Sequence, residues 1–249
     1  MPTANWYDGV IRRIETRAPN TRSFWLEVPE LPGFDFKPGQ FITMDLPIHE
    51  KRLQRWRSYS IASAPDGSNV IELCIVRLEG GLASNYLFDH IHEGAAIRFK
   101  GPGGAFILPE TLDKDLVLIC TGTGVAPFRS MLLDLLHRKP PHRKIHLIFG
   151  TRWRAGVLYE KEFIQLQDVL PGFTYSVALS REAGPQLLQA PFDLYQGYVH
   201  QVYQEYYREK REDLLFYLCG WSNMVDEAVR QLTSDLGYPA HQVRTELYG

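Results

Sequence analysis

The feature that most constrains this chain is the apolar run Leu116-Val-Leu-Ile-Cys120, followed by Thr121-Gly-Thr-Gly124 and an apolar-periodic stretch to Leu136. Five consecutive apolar residues are too few to span a membrane and the right number for a buried strand. The order strand, glycine-rich turn, helix brings a helix N-terminus up to a strand end. Free N–H groups and the helix dipole favour an anion there, and the glycines let a phosphate come close to the backbone. Two readings fit the motif by itself: a nucleotide-phosphate site, or a tight strand-to-helix turn with no ligand. Pro127 stands where the third glycine of the common dinucleotide fingerprint would fall.

The periodicity around this motif predicts the rest of its domain. Strand-like runs at 116–120, 144–149, 174–179 and 214–219 alternate with helical patterns at 125–136, 158–169, 198–208 and 224–236. Such alternation means parallel strands joined by crossover helices, an α/β domain. Upstream the pattern differs. Short apolar runs at 10–16, 23–28, 40–46, 55–62, 70–78 and 95–99 are separated by turn signals such as Lys37-Pro-Gly39 and Ala64-Pro-Asp-Gly67, with one helix candidate at 82–91. That series predicts a small antiparallel barrel, closed so that few edges remain. The chain therefore reads as two domains, residues 1–110 and 111–249.

Composition narrows the function. The 249 residues carry 27 Lys and Arg against 29 Asp and Glu, so net charge draws in neither nucleic acid nor membrane. The N-terminus lacks the basic and apolar regions of a signal peptide, and no run approaches the length of a membrane helix; a cytoplasmic protein is expected. Cys74, Cys120 and Cys219 are odd in number and far apart, which excludes a disulfide framework or a clustered metal or iron–sulfur motif. The histidines show no zinc-like spacing.

In a parallel sheet, ligands bind outside the C-terminal strand ends. Gly122-Thr-Gly124, Gly150-Thr-Arg152, Ser180-Arg181 and Cys219-Gly220 all fall there. Arg152 and Arg181 are thus placed to meet one ligand, and an arginine matches a phosphate through its fork of N–H groups. In the barrel half, Arg57-Ser58-Tyr59-Ser60 packs a cation, two hydroxyls and an aromatic into one strand. By the two-residue period Arg57, Tyr59 and Ile61 share a face. That face either pairs an anion with a stacked ring or is an ordinary exposed strand face, and spacing leaves both open.

Taken in order, Arg57-Ser-Tyr-Ser60, Gly122-Thr-Gly-Val-Ala-Pro127 and Cys219-Gly220 resemble the ferredoxin–NADP reductase family of flavoproteins. The likeness covers nearly the whole chain and includes Phe36-Lys-Pro-Gly-Gln-Phe41, Gly81-Leu-Ala-Ser84, Gly101-Pro-Gly-Gly104 and Glu246-Leu-Tyr248. It implies an N-terminal antiparallel Greek-key β-barrel for FAD, followed by a C-terminal α/β parallel-sheet domain for NADP(H). It further implies that Arg57 holds the flavin pyrophosphate, beside Ser58 in the same motif. Tyr59 would pack against the flavin, Ser60 would lie near its N5, and Val76 would line the same site. Gly81 and Ser84 match a second phosphate contact at the start of the barrel's helix. Thr123 and Gly124 would support the nicotinamide dinucleotide, with Cys219 beside the nicotinamide ring. Ser180-Arg181-Glu182, assisted by Arg152, matches the segment that grips the 2′-phosphate. Glu246 would lie near the reacting atoms and Tyr248 would cover the flavin face; Gly249, following the tyrosine, departs from that ending. Ser60, Cys219 and Glu246 then flank the hydride path.

The activity so implied is hydride transfer between NADP(H) and FAD, with single electrons passing to or from a separate ferredoxin or flavodoxin. A monomer with no fused iron–sulfur domain is expected. The rival readings are a reductase component of a multicomponent oxygenase, a flavin reductase using free flavin, and a flavin-binding electron-transfer subunit without its own NADP turnover.

Overall fold

The computed structural model describes residues 5–182 and 190–248. The chain divides into two compact units, one formed by Met1–Leu108 with Ala126–Asp134, the other by Pro109–Val125 with Leu135–Gly249.

The first unit holds six antiparallel strands: β1 (Trp6–Ala18), β2 (Thr21–Glu27), β3 (Phe41–Asp45), β4 (Trp56–Ser60), β5 (Val70–Val76) and β6 (Ala96–Gly103), in the order β4-β3-β6-β1-β2-β5. The two outer strands meet again just past β4. Ile61 bridges Leu73, and the Ala62 N–H donates to the Glu72 carbonyl at 2.7 Å. The sheet thereby curls on itself as the antiparallel barrel that the turn spacing predicts, and few backbone groups are left at an edge. Alternate residues along the strands fill its interior, among them Phe24, Leu26, Ile42, Met44, Leu73 and Phe99, all fully buried. The helix expected at 82–91 is α2 (Leu82–Asp89), which turns Ala83 and Leu87 into this core. A one-turn helix, α1 (Arg52–Arg55), precedes β4 without burying a residue, so apolar periodicity could not announce it.

One charged cluster lies inside this unit. Glu72, 2 % exposed, accepts from Arg129 Nη1 at 2.8 Å, Arg17 Nη2 at 3.2 Å and Ser23 Oγ at 2.5 Å. Arg129 Nη1 also donates to the Ala62 carbonyl at 2.8 Å, and Ser130 Oγ to the Ser63 carbonyl at 2.6 Å. Two neighbouring side chains of the 126–134 stretch thus hold the chain just downstream of Arg57-Ser-Tyr-Ser60.

The second unit is a six-stranded, wholly parallel sheet of β7 (Asp115–Thr121), β8 (Ile145–Thr151), β9 (Phe173–Leu179), β10 (Asp193–Gln196), β11 (Leu214–Trp221) and β12 (Val243–Tyr248), ordered β10-β9-β8-β7-β11-β12. Its helices are α3 (Val125–Arg138), α4 (Glu160–Val169), α5 (Val199–Tyr206) and α6 (Ser222–Arg230). Central strands are apolar on both faces, as a sheet covered twice must be; β7 shows no exposed residue from Asp115 to Cys120. The edge strands β10 and β12 lack that pattern and were not evident from periodicity. Among the described residues no helix is long and apolar enough to cross a membrane.

Candidate active site

Strand β4 carries the barrel motif. Arg57 Nη1 bridges the carbonyls of Gln54 at 2.9 Å and Trp56 at 2.8 Å, which folds the guanidinium against its own turn and fixes its direction. Ser58 is exposed and shares a 3.0 Å hydrogen bond with Thr43 Oγ1 on β3. Tyr59 is half-buried and leans on the barrel core. Burial pushes its phenol up to about 12, and the Arg57 charge pulls the other way, so the hydroxyl is a neutral donor at physiological pH. Ser60 is buried. Val76 ends β5, paired with Thr21.

Past β5 the chain turns through Gly80 and Gly81 into α2. Ser84, buried, closes this turn by accepting from the Leu78 N–H at 3.0 Å and donating to the Gly81 carbonyl at 3.3 Å. Its hydroxyl therefore shapes the loop, while the first N–H groups of α2 have no side-chain cap and point out of the helix start. Beside them is a cavity of about 340 Å³ lined by Asn20, Arg77, Leu78, Glu79, Gly80 and Asn85. Arg77 is held there by Asn85 Oδ1 at 3.1 Å and Asp89 Oδ2 at 2.8 Å. An uncapped helix start, a fixed cation and two amides suit a dinucleotide's diphosphate and ribose, so the residues present fit a flavin dinucleotide. Arg77 carries no signal in the sequence beyond its place before the paired glycines.

In the second unit, strand order runs outward from β7 to β10, then returns to place β11 on the other side of β7. The strand ends of β7 and β11 therefore flank a topological switch point. Two glycines make the turn possible. A Cβ on Gly124 would lie 2.4 Å from the Cys219 carbonyl oxygen, and one on Gly220 would lie 2.5 Å from Thr121 Oγ1. Gly124, buried, thus lets the turn settle on β11, whereas Gly122 adopts a left-handed φ of 53° beneath open space. Thr123 sits between them, half-buried. Pro127 is the third residue of α3, where a missing N–H costs nothing.

At the neighbouring strand ends the Ser180 N–H donates to the Thr151 carbonyl and the Arg181 N–H to the Arg152 carbonyl, each at 2.9 Å. Arg152 and Arg181 are brought side by side and exposed, and among the described residues neither has an ion-pair partner. The periodic reading of strand ends anticipates this pair. It does not anticipate that Arg154 N–H is accepted by Glu182 Oε2 at 2.8 Å.

The C-terminal residues form an edge strand. In β12, Glu246 is paired with Cys219 and Tyr248 with Trp221. Cys219 is fully buried. Burial raises its thiol well above the ordinary value, the Glu246 carboxylate adds to this, and the nearby Tyr248 hydroxyl opposes it. The thiol is neutral at physiological pH, the protonated form in which a cysteine is a poor nucleophile. Tyr248 turns its hydroxyl inward toward that thiol, so in this arrangement the ring is part of the second unit's own packing.

Two units with these features define a class: oxidoreductases that bind FAD on a barrel and a nicotinamide dinucleotide on a parallel sheet. The chain matches the Oxidoreductase FAD-binding domain family over residues 8–107 and the Oxidoreductase NAD-binding domain family over residues 118–230. It is 32% identical to ferredoxin–NADP reductase B of Sorangium cellulosum over 254 aligned residues, covering 100% of both chains. It is 29% identical to the phenol hydroxylase P5 protein of Acinetobacter pittii, over 91% of this chain and 61% of that one. Its fold matches the crystal structure of a ferredoxin NADP+ reductase from Neisseria gonorrhoeae with bound FAD and NADP, at a TM-score of 0.79 and 25% identity, covering 98% and 99% of the two chains. The protein belongs to the ferredoxin–NADP reductase family of FAD- and NAD(P)-binding oxidoreductases.

Proposed function

We propose that this chain is a ferredoxin–NADP(+) reductase that uses NADPH and exchanges single electrons with a separate ferredoxin or flavodoxin. Residues 1–110 would carry FAD and residues 111–249 NADP(H). The observation that carries the coenzyme assignment is the exposed pair Arg152 and Arg181 at adjoining strand ends, two cations without ion-pair partners among the described residues. A 2′-phosphate offers the dianion that such a pair lacks, whereas the ribose hydroxyl of NADH does not.

Arg57 and Arg77 would neutralise the flavin's diphosphate. Tyr59 would offer its neutral ring and hydroxyl to the flavin, Ser60 a hydroxyl near N5, and Val76 a wall. Gly81 and the helix start would contact phosphate, with Ser84 shaping that loop. Thr123 and the turn around Gly124 would receive the dinucleotide, with Ser180 beside the arginine pair. Cys219 would bound the nicotinamide side, Glu246 would hold charge near it, and Tyr248 would seal that edge. When bound, FAD supplies the step between two-electron and one-electron chemistry.

The partner follows from the full-length likeness to a ferredoxin–NADP reductase. A basic, aromatic face of the barrel supports an acidic partner: Lys100 Nζ lies 3.8 Å from the Trp56 ring centre, and Arg52 and Arg98 lie over Trp6 at 5.7 and 5.3 Å. Three buried cysteines outside any disulfide support a cytoplasmic setting. A monomer is the state we assign. The likeness to the phenol hydroxylase component favours a second reading, a reductase serving a separate oxygenase.

An anaerobic titration tests the proposal. NADPH is expected to bleach a retained, stoichiometric flavin absorbance, with NADH much less effective, and added ferredoxin or flavodoxin to restore it. A flavin lost on gel filtration supports a free-flavin reductase instead. No bleaching by either coenzyme supports an electron-transfer subunit.

A further inference from the structure

We propose that Glu182 is a positioning residue for coenzyme choice, its carboxylate latching the 152–154 loop to the end of β9 so that Arg152 and Arg181 stay paired. The proposal rests on the NADPH reading above and extends it to a residue outside the phosphate contact itself.

Strands β8 and β9 are last paired at Thr151 and Leu179. Beyond them two more backbone hydrogen bonds, Ser180 N–H to Thr151 O and Arg181 N–H to Arg152 O, keep the outgoing chains together. One step further a side chain replaces the backbone: Glu182 Oε2 accepts the Arg154 N–H at 2.8 Å. A carboxylate on a backbone N–H is a charge-assisted bond, stronger than the ladder bonds it continues.

The arginines beside this latch have different tasks. The Arg154 guanidinium is engaged elsewhere, donating to Glu160 Oε1 at 2.6 Å and lying 4.8 Å from the Phe192 ring centre. Arg152 and Arg181 remain exposed and unclaimed by any ion pair among the described residues. Glu182 is the nearest acid in sequence to Arg181 and would neutralise it if it were not already occupied. Bound to the Arg154 N–H, it leaves the arginine pair free for an outside dianion. It also reduces the loop ordering that binding would otherwise cost.

The test compares Glu182→Ala with Glu182→Gln, which keeps an acceptor oxygen without the charge. Holoprotein is titrated with 2′,5′-ADP and with 5′-ADP, and kcat and KM are measured for NADPH and NADH. Removing one such bond is expected to weaken 2′,5′-ADP and raise KM for NADPH in Glu182→Ala by about five- to tenfold. Binding of 5′-ADP, KM for NADH and kcat at saturating NADPH should hold, and Glu182→Gln should recover most of the loss. Unchanged 2′,5′-ADP affinity in Glu182→Ala overturns the proposal. So does an equal loss for both coenzymes, which would mark a general structural role, or a Glu182→Gln variant no better than alanine. In each of those cases a wild type that prefers 2′,5′-ADP leaves the NADPH reading standing. A wild type that binds the two nucleotides equally overturns both.

Discussion

The two nucleotide-binding regions are built on opposite plans. In the barrel, the side chains proposed to meet the flavin or shape its loop are already engaged before any ligand is considered. Arg57 is bonded to two carbonyls, Ser58 to Thr43, Ser84 to its own loop, and Arg77 to Asn85 and Asp89. At the strand ends of the parallel sheet the backbone is laced together, but Arg152 and Arg181, which would meet a ligand, have no ion-pair partner among the described residues. Side chains fixed in advance lose little entropy on binding, and free ones lose more. The first plan suits a cofactor that stays; the second suits a coenzyme that must leave after each turnover.

The largest way to break this contrast is to loosen the barrel's buried cluster. Glu72→Ala leaves Arg129 and Arg17 without their shared carboxylate, and is expected to destabilise the protein by about 3–5 kcal/mol. Urea denaturation measures this, and flavin retention should fall with it. If flavin stays equally tight, the barrel's hold does not depend on its fixed charges.

The second unit has its own buried switch of stability. His146 is 6 % exposed, bonded to Tyr207 and Ser176 hydroxyls at 2.8 Å each. Burial lowers its pKa to about 4, with Asp193 acting the other way. The unfolded chain, titrating near 6.5, takes up this proton first. The contribution is therefore complete above about pH 6.5 and is lost as pH falls toward 4, by about 3 kcal/mol in all. Denaturation midpoints at pH 7.5 and 4.5 measure the loss, and His146→Gln should remove it.

Coenzyme discrimination comes next. Arg181→Ala is expected to weaken NADPH relative to NADH by about 1.5–3 kcal/mol, the worth of a hydrogen bond to a charged group. KM values for both coenzymes read this out; an equal loss for both would refute the phosphate assignment. The smallest effect sharpens the contrast from the barrel side. Ser84→Ala removes the acceptor for the Leu78 N–H, and flavin dissociation should speed up about fivefold, corresponding to about 1 kcal/mol. A much larger effect would mean the hydroxyl meets the phosphate directly.

Much of this was legible before folding. The alternation after residue 109 implied a parallel sheet, and strand ends followed from it, because ligand position in such sheets is set by topology. Arg152 and Arg181 were therefore placed at neighbouring strand ends by counting. Arg77 and Glu182 were not evident as a cavity wall and a latch. Each is an ordinary polar residue whose role comes from a partner, Asn85 or the Arg154 N–H, in another segment. The tail shows the same limit. Periodicity rests on burial, and β12 buries no residue at the sheet's edge, so Glu246-Leu-Tyr248 was readable only through a family likeness.

The opening motif divides the two contributions most clearly. Sequence alone determined that Leu116–Leu136 is strand, turn and helix, because apolar run length, paired glycines and 3.6-residue periodicity are local properties. Only the tertiary structure decided what each glycine does. Gly122 is needed for its own left-handed backbone, a local matter, but Gly124 is needed because the Cys219 carbonyl arrives 2.4 Å from where its side chain would begin. That carbonyl is 95 positions away, and no local pattern encodes its approach; it is brought there by β11 returning to pair with β7.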